Sequence, residues 1–157
     1  MNEFLIIAAL LNAALLTGNE FAVGTFVHPA FNRLPDAAHG YAAREVGRIY
    51  GVVMPFWMSS VVILSLLPAF IISNTYSRSW WLFLTSGILY GATIVFSILG
   101  PVPINNKIVK WQPENLPDDW RKLRRRWDEL HFIRIVLLIS GFVFLTLAVI
   151  SLAGSKN

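Results

Sequence analysis

The sequence predicts an all-α integral membrane protein: a four transmembrane helix bundle, with an amphipathic cytoplasmic helix between spans 1 and 2 and a long fourth helix extending into the cytoplasm. Three observations predict it. Only 14% of the 157 residues are charged and 55% are hydrophobic, whereas soluble globular chains carry about 25% charged residues. Four apolar runs each reach the roughly 20 residues needed to cross a hydrocarbon core. The basic residues gather in two of the loops. The same composition excludes a soluble globular domain and a disordered chain. The absence of cysteine excludes disulfide frameworks, thiolate metal sites and cysteine nucleophiles. The length suits one domain, residues 1–157.

Span 1 runs from Phe4 to Val27 and closes at His28-Pro29, because proline cannot continue a helix without losing a hydrogen bond. It does not read as a signal peptide: Met1-Asn2-Glu3 lacks a basic n-region and the apolar stretch exceeds an h-region. Span 2 runs from Ile49 to Ile72, with kinks expected at Pro55 and Pro68. Span 3 runs from Trp80 to Leu99 and is closed by Gly100-Pro101; Trp80 and Trp81 suit the outer aromatic belt. Span 4 runs from Phe132 to Leu152.

Loops 32–48 and 105–131 fall on one side of such a bundle. With Arg134 just beyond, they hold eleven of the thirteen Lys and Arg residues; only Arg78 and Lys156 lie opposite. The positive-inside rule places both loops in the cytoplasm and both termini outside. The cluster from Lys122 to Arg126 is interleaved with acidic residues and reads as a topology signal in contact with anionic lipid, not as a nucleic-acid site. Arg124 within it reads as a solvated charge. Each loop carries Leu-Pro-Asp before a helix that leads back to the membrane, at Leu34 and again at Leu116. Proline and aspartate suit a first helical turn. Gly47 with Gly51, and Gly87 with Gly91, are small pairs four apart. They read as close packing within the bundle, a homo-oligomer interface being the alternative.

Some polar residues stand where lipid should not tolerate them. Span 1 carries Asn12, Thr17, Asn19 and Glu20. Glu20 lies roughly 10 Å inside the cytoplasmic boundary at about 1.5 Å per residue. An intramembrane carboxyl is expensive, so it is expected to face the bundle interior with a partner. At 100° per residue, Trp120, Arg124, Trp127, His131 and Arg134 share an arc of about 80° on the fourth helix. Arg134 is placed to reach Glu20. The topology therefore gathers Asn19, Glu20, His28, Asn105, Asn106, Trp127, His131 and Arg134 at the cytoplasmic end, a polar pocket under an aromatic rim. His28 alone reads more simply as an interfacial polar residue. A metal set of Glu20, His28 and His131 is chemically conceivable, but no compact ligand spacing supports it, and His39 falls in the amphipathic loop helix. The residues name no cofactor.

The stretches from Thr17 to Pro29, Arg33 to Asp36 and Val53 to Trp57 resemble the small four-span proteins of the anthrone oxygenase-like family. So do those from Val102 to Lys107 and Leu116 to Trp120, with Trp111, Arg126-Trp127, His131 and Arg134. The resemblance covers nearly the whole chain, is most specific from Pro103 to Arg134, and is closer to the uncharacterised bacterial branch than to the fungal enzymes. It implies a membrane oxidoreductase of the bacterial inner membrane, with periplasmic termini. Its fungal members are linked to cofactor-independent oxygenation of anthrones to anthraquinones. By resemblance the carried-over polar and aromatic positions are Asn105, Trp111, Trp127, His131 and Arg134. On this reading His131 takes a proton, Arg134 and Asn105 stabilise the oxyanion, and Asn19, Glu20, Trp111 and Trp127 bind a flat hydrophobic substrate from the bilayer. The alternative is a non-catalytic assembly subunit, or a small-molecule or lipid binder or transporter. Four spans are few for a transporter, which would then need an oligomer.

Overall fold

The computed structural model describes residues 3–72 and 77–154. Met1, Asn2 and Lys156, used above in the signal-peptide and topology readings, lie outside them. All four spans are helical, and no strand occurs among the described residues.

Span 1 is α1 (Glu3–Ala22), which continues through a π-helical turn (Val23–Val27) into α2 (His28–Phe31). Span 2 and the amphipathic helix before it are one element, α3 (Asp36–Ile71). No helix-breaking residue separates them, so loop 32–48 shrinks to a tight turn. α3 opens with Pro35 before it and Asp36 in its first turn, and it stays helical through Pro55 and Pro68. α4 (Arg78–Leu99) begins where the Ser77 hydroxyl accepts from the Trp80 N–H at 3.3 Å. Gly100 ends it, and Pro101 starts α5 (Pro101–Ile108). At a first helical position the missing proline N–H leaves no bond unmade. α6 (Trp120–Gly154) runs without interruption from the basic loop through span 4, as its Leu-Pro-Asp opening predicts.

α4 packs on both α3 and α6, and α1 closes the ring against the same two helices. The faces are arranged for lipid. On α1 the exposed residues include Phe4, Ile7, Leu11 and Leu15, while Ala9, Ala13, Thr17 and Glu20 are buried. On α4 the buried face carries Ser86, Gly87, Thr93 and Ser97. Small residues let backbones approach, and polar ones bond across the interface. The Ser86 hydroxyl donates to the Gly141 carbonyl at 2.8 Å. A Cβ on Gly87 would lie 2.2 Å from Leu66 Cδ2, so this glycine sets the α3–α4 distance. Gly91 and Gly51 have open space, so only part of each pair is a packing contact. Asn12 bridges α1 to α3: Trp57 Nε1 donates to its Oδ1 at 3.0 Å, and its Nδ2 donates to Ser60 Oγ at 2.9 Å. The chain is an integral membrane protein built on four apolar helices.

Candidate functional site

The site lies at the basic-loop end of the bundle, where the π turn of span 1 faces α6. A π turn shifts the hydrogen-bond ladder by one residue and is over-represented at functional sites. Here the His28 N–H bonds back to the Val23 carbonyl, five residues away. The turn contains Gly24, and a Cβ there would lie 2.6 Å from Ile135 Cδ1 and 2.9 Å from His131 Cδ2. Glycine thus allows α6 to press against span 1 closely enough for side chain to meet backbone.

Glu20, 1% exposed, is ion-paired with Arg134. Arg134 Nη2 also donates to His131 Nδ1 at 2.8 Å, and His131 Nε2 lies 3.1 Å from the Glu20 carbonyl oxygen. A carbonyl can only accept, so His131 carries its proton on Nε2 and offers its Nδ1 lone pair to Arg134. Carboxylate, guanidinium and imidazole therefore close a ring of contacts that ties Glu20 of α1 to His131 and Arg134 of α6. The neighbouring turn holds a second charged cluster. Arg124 Nη2 donates to Asp128 Oδ1 at 2.8 Å, and His28 Nδ1 faces the same oxygen at 3.3 Å. Trp127 stands between the clusters. It stacks on His131 at 4.6 Å and 15°, meets His28 edge-on at 4.4 Å, and carries Arg124 over its face at 4.7 Å.

Beside these clusters lies a cavity of about 690 Å³ between span 1, α3, α4, α5 and α6. Glu20, Asn105, Trp127 and Arg134 all line it, as do His28 and Asn106. Three of the sequence-predicted site residues lie away from this cavity. His131 does not reach this cavity. It borders a smaller pocket of about 190 Å³, and both its ring nitrogens are engaged, by the Glu20 carbonyl and Arg134. Asn19 is held as helix glue, its Oδ1 accepting from the Tyr50 hydroxyl at 2.9 Å, and Tyr50 is the residue that lines the cavity. Trp111 is 4% exposed in one apolar cluster with Ile108, Trp120 and Trp127, but it borders a surface groove and not the cavity.

Two readings made from local sequence change as well. Arg124 is 5% exposed and not solvated, because its helix face turns inward and Asp128 sits one turn along it. His28 is equally buried, against Trp127. Its signal is absent from local sequence, whereas that of Arg124 was present in the arc it shares with Trp127 and Arg134. His39 donates from Nδ1 to the Phe31 carbonyl at 3.0 Å, packs on Trp120 and does not line the cavity. Among the described residues no three His, Asp or Glu side chains converge in a way that could hold a metal ion.

A four-helix membrane bundle enclosing a large apolar cavity, with charged and amide groups gathered at one end, is the class of protein that this geometry defines. The chain belongs to the anthrone oxygenase family, whose pattern it matches over residues 47–144. That region contains Asn105, Trp111, Trp127, His131 and Arg134; Glu20 and His28 precede it. No curated protein and no solved structure matches the chain.

Proposed function

We propose that the protein is a membrane oxygenase acting on a flat, hydrophobic aromatic compound with an activated methylene, of the anthrone type. The overall change is R₂CH₂ + O₂ → R₂C=O + H₂O. The cavity carries this reading. Its volume of about 690 Å³ suits a small-molecule site, which typically spans about 300–1,000 Å³ with few polar groups on an apolar wall. Met54, Met58 and Ile94 form the apolar wall, and Trp127 offers an aromatic edge to a flat ring system. Asn105, Asn106 and Arg134 supply donors where an enolate oxygen would need them. Arg134 has donors to spare: Nε has no partner among the described residues.

The mouth of the cavity supports a substrate dissolved in lipid. We read the cavity's mouth as the side lined by Gly51, Val52 and Pro55 of α3 and by Ile98 and Val102 at the α4–α5 corner, where Val52 is 67% and Ile98 58% exposed. Val52 and Ile98 sit within apolar spans, so a mouth on this side gives onto hydrocarbon. Arg48 and Asn106 mark its polar rim. Protein reconstituted in liposomes should convert anthrone to anthraquinone with one O₂ consumed per product. Gly51→Trp, which projects a ring into open space at the mouth, should lower the rate at least tenfold with the protein still folded. A wild-type rate no higher than that of empty liposomes sinks the reading. Saturable anthrone binding without turnover would then favour the small-molecule binder, which the same lateral mouth also suits.

We infer further that the basic loops face the cytoplasm of a bacterial inner membrane, from the eleven basic residues gathered there. Because the chain lacks cysteine, a Glu114→Cys variant gives a single label site. It should react with an impermeant maleimide in inverted vesicles and not in intact spheroplasts; the reverse pattern would invert the topology.

A further inference from the structure

The chain has three histidines, and their surroundings differ in one decisive respect. His131 has both nitrogens engaged, by the Glu20 carbonyl and Arg134. His39 is bonded to the Phe31 carbonyl, away from the cavity. His28 lines the large cavity and has Asp128 facing Nδ1 at 3.3 Å. Neither ring nitrogen of His28 makes a hydrogen bond among the described residues; Nδ1 is buried and meets Asp128 only as an ion-pair contact. His28 borders both pockets and Asp128 only the small one, so Nδ1 faces the small-pocket side of the ring. Asp128 is itself fixed by Arg124 at 2.8 Å, and Trp127 packs against the imidazole at 4.4 Å. A base needs a free lone pair at the substrate and a partner for its other N–H, and an oriented carboxylate supplies the second.

We propose that His28 is the catalytic base of this site, with Asp128 as its positioning residue. The assignment rests on the oxygenase reading. His28 Nε2 takes one proton from the activated methylene, and the C–H electron pair remains on carbon, delocalised to an enolate oxygen beside Asn105 and Arg134. The carbanion gives its electrons to dioxygen, forming the new C–O bond. The distal oxygen takes the proton back from the imidazolium, giving a hydroperoxide and neutral His28. Loss of the second C–H proton with O–O cleavage releases the ketone and water. Carboxylate and imidazole thus divide the work: Asp128 holds the Nδ1 proton and Nε2 moves one.

Hydrogen–deuterium exchange separates the base from the oxidation. Anthrone is incubated anaerobically in D₂O with protein in liposomes, and deuterium at its methylene is read by mass spectrometry. Wild-type protein should accelerate exchange over empty liposomes. His28→Ala should lower that rate at least 100-fold, within the range that a general base contributes, and added imidazole should restore part of it. Should His28→Ala fail to fold, His28→Gln gives the same test without the cavity. Asp128→Asn should slow exchange about tenfold while anthrone still quenches tryptophan fluorescence at the wild-type concentration. Exchange in His28→Gln or His28→Ala within twofold of wild type overturns the assignment, as does a wild type that binds anthrone without accelerating exchange. Exchange by the wild type without quinone in air would leave His28 as the base and remove the oxygenase reading instead.

Discussion

Arg134→Met is expected to destabilise the folded protein by about 3–5 kcal/mol, the loss seen when one partner of a buried ion pair is removed. Two groups are stranded at once. Glu20, 1% exposed and inside an apolar span, loses the guanidinium that neutralises it, and His131 Nδ1 loses its donor. Glu20→Gln alone should also destabilise, leaving a buried cation with only the imidazole to accept from it. The double variant Glu20→Gln/Arg134→Met removes both charges, and replacing a buried pair by neutral groups of similar volume is often close to neutral. The double variant should therefore be more stable than Arg134→Met alone, with a coupling of about 1–3 kcal/mol in the cycle. Equilibrium unfolding in a mixed-micelle denaturant titration measures all four corners. Strictly additive effects would show that the pair is incidental and that packing alone joins α1 to α6.

The Glu20–Arg134 pair was legible in the sequence because the membrane makes its logic one-dimensional. A carboxyl roughly 10 Å inside a span needs a cation at the same depth, and only Arg134 stood at the matching boundary. The four spans were legible for the same reason: length and apolarity alone decide which segments cross. The inward face of α6 was legible from its spacing, and Arg124 belonged to it, although reading its charge singly put it in solvent. What escaped was whatever depends on how the helices meet. Asn19 carries the same apparent signal as Glu20, yet the Tyr50 hydroxyl takes it up from α3, which no span-1 pattern reveals. Trp111 and Trp127 look equivalent as aromatic residues near the interface. A short turn after α5 folds Trp111 onto Trp120, while Trp127 faces the cavity. His28 gains its partner across 100 residues of chain, from a π turn that carries no sequence mark beyond Gly24. The helix before span 2 was legible from Leu34-Pro35-Asp36, and Arg44, Glu45 and Arg48 lie within it. They are ion-paired to one another along one helix, Glu45 accepting from both arginines.

Trp127→Ala is expected to cost about 3–5 kcal/mol, as for other buried tryptophans truncated to alanine. The indole is 6% exposed and stands between the two charged clusters. Its loss would remove the stacked face of His131, the edge against His28 and the ring beneath Arg124 together, so structure and site would fail as one. Trp127→Phe separates the two. Phenylalanine keeps a flat ring in the same slot, so the change should cost less than the truncation to alanine, the remainder being the smaller cavity it leaves. It also deletes Nε1, a buried donor with no partner among the described residues, on a side chain that lines the cavity. Leaving a buried donor unpaired costs about 1–3 kcal/mol, and under the oxygenase reading a ligand oxygen would accept from this N–H. Anthrone has one carbonyl oxygen to offer. Trp127→Phe should then stay folded while its anthrone affinity, read by ligand fluorescence, falls about tenfold, the equivalent of about 1.4 kcal/mol. Unchanged affinity with unchanged stability would make the indole a packing ring only, and would leave Asn105, Asn106 and Arg134 as the donors that hold the substrate oxygen.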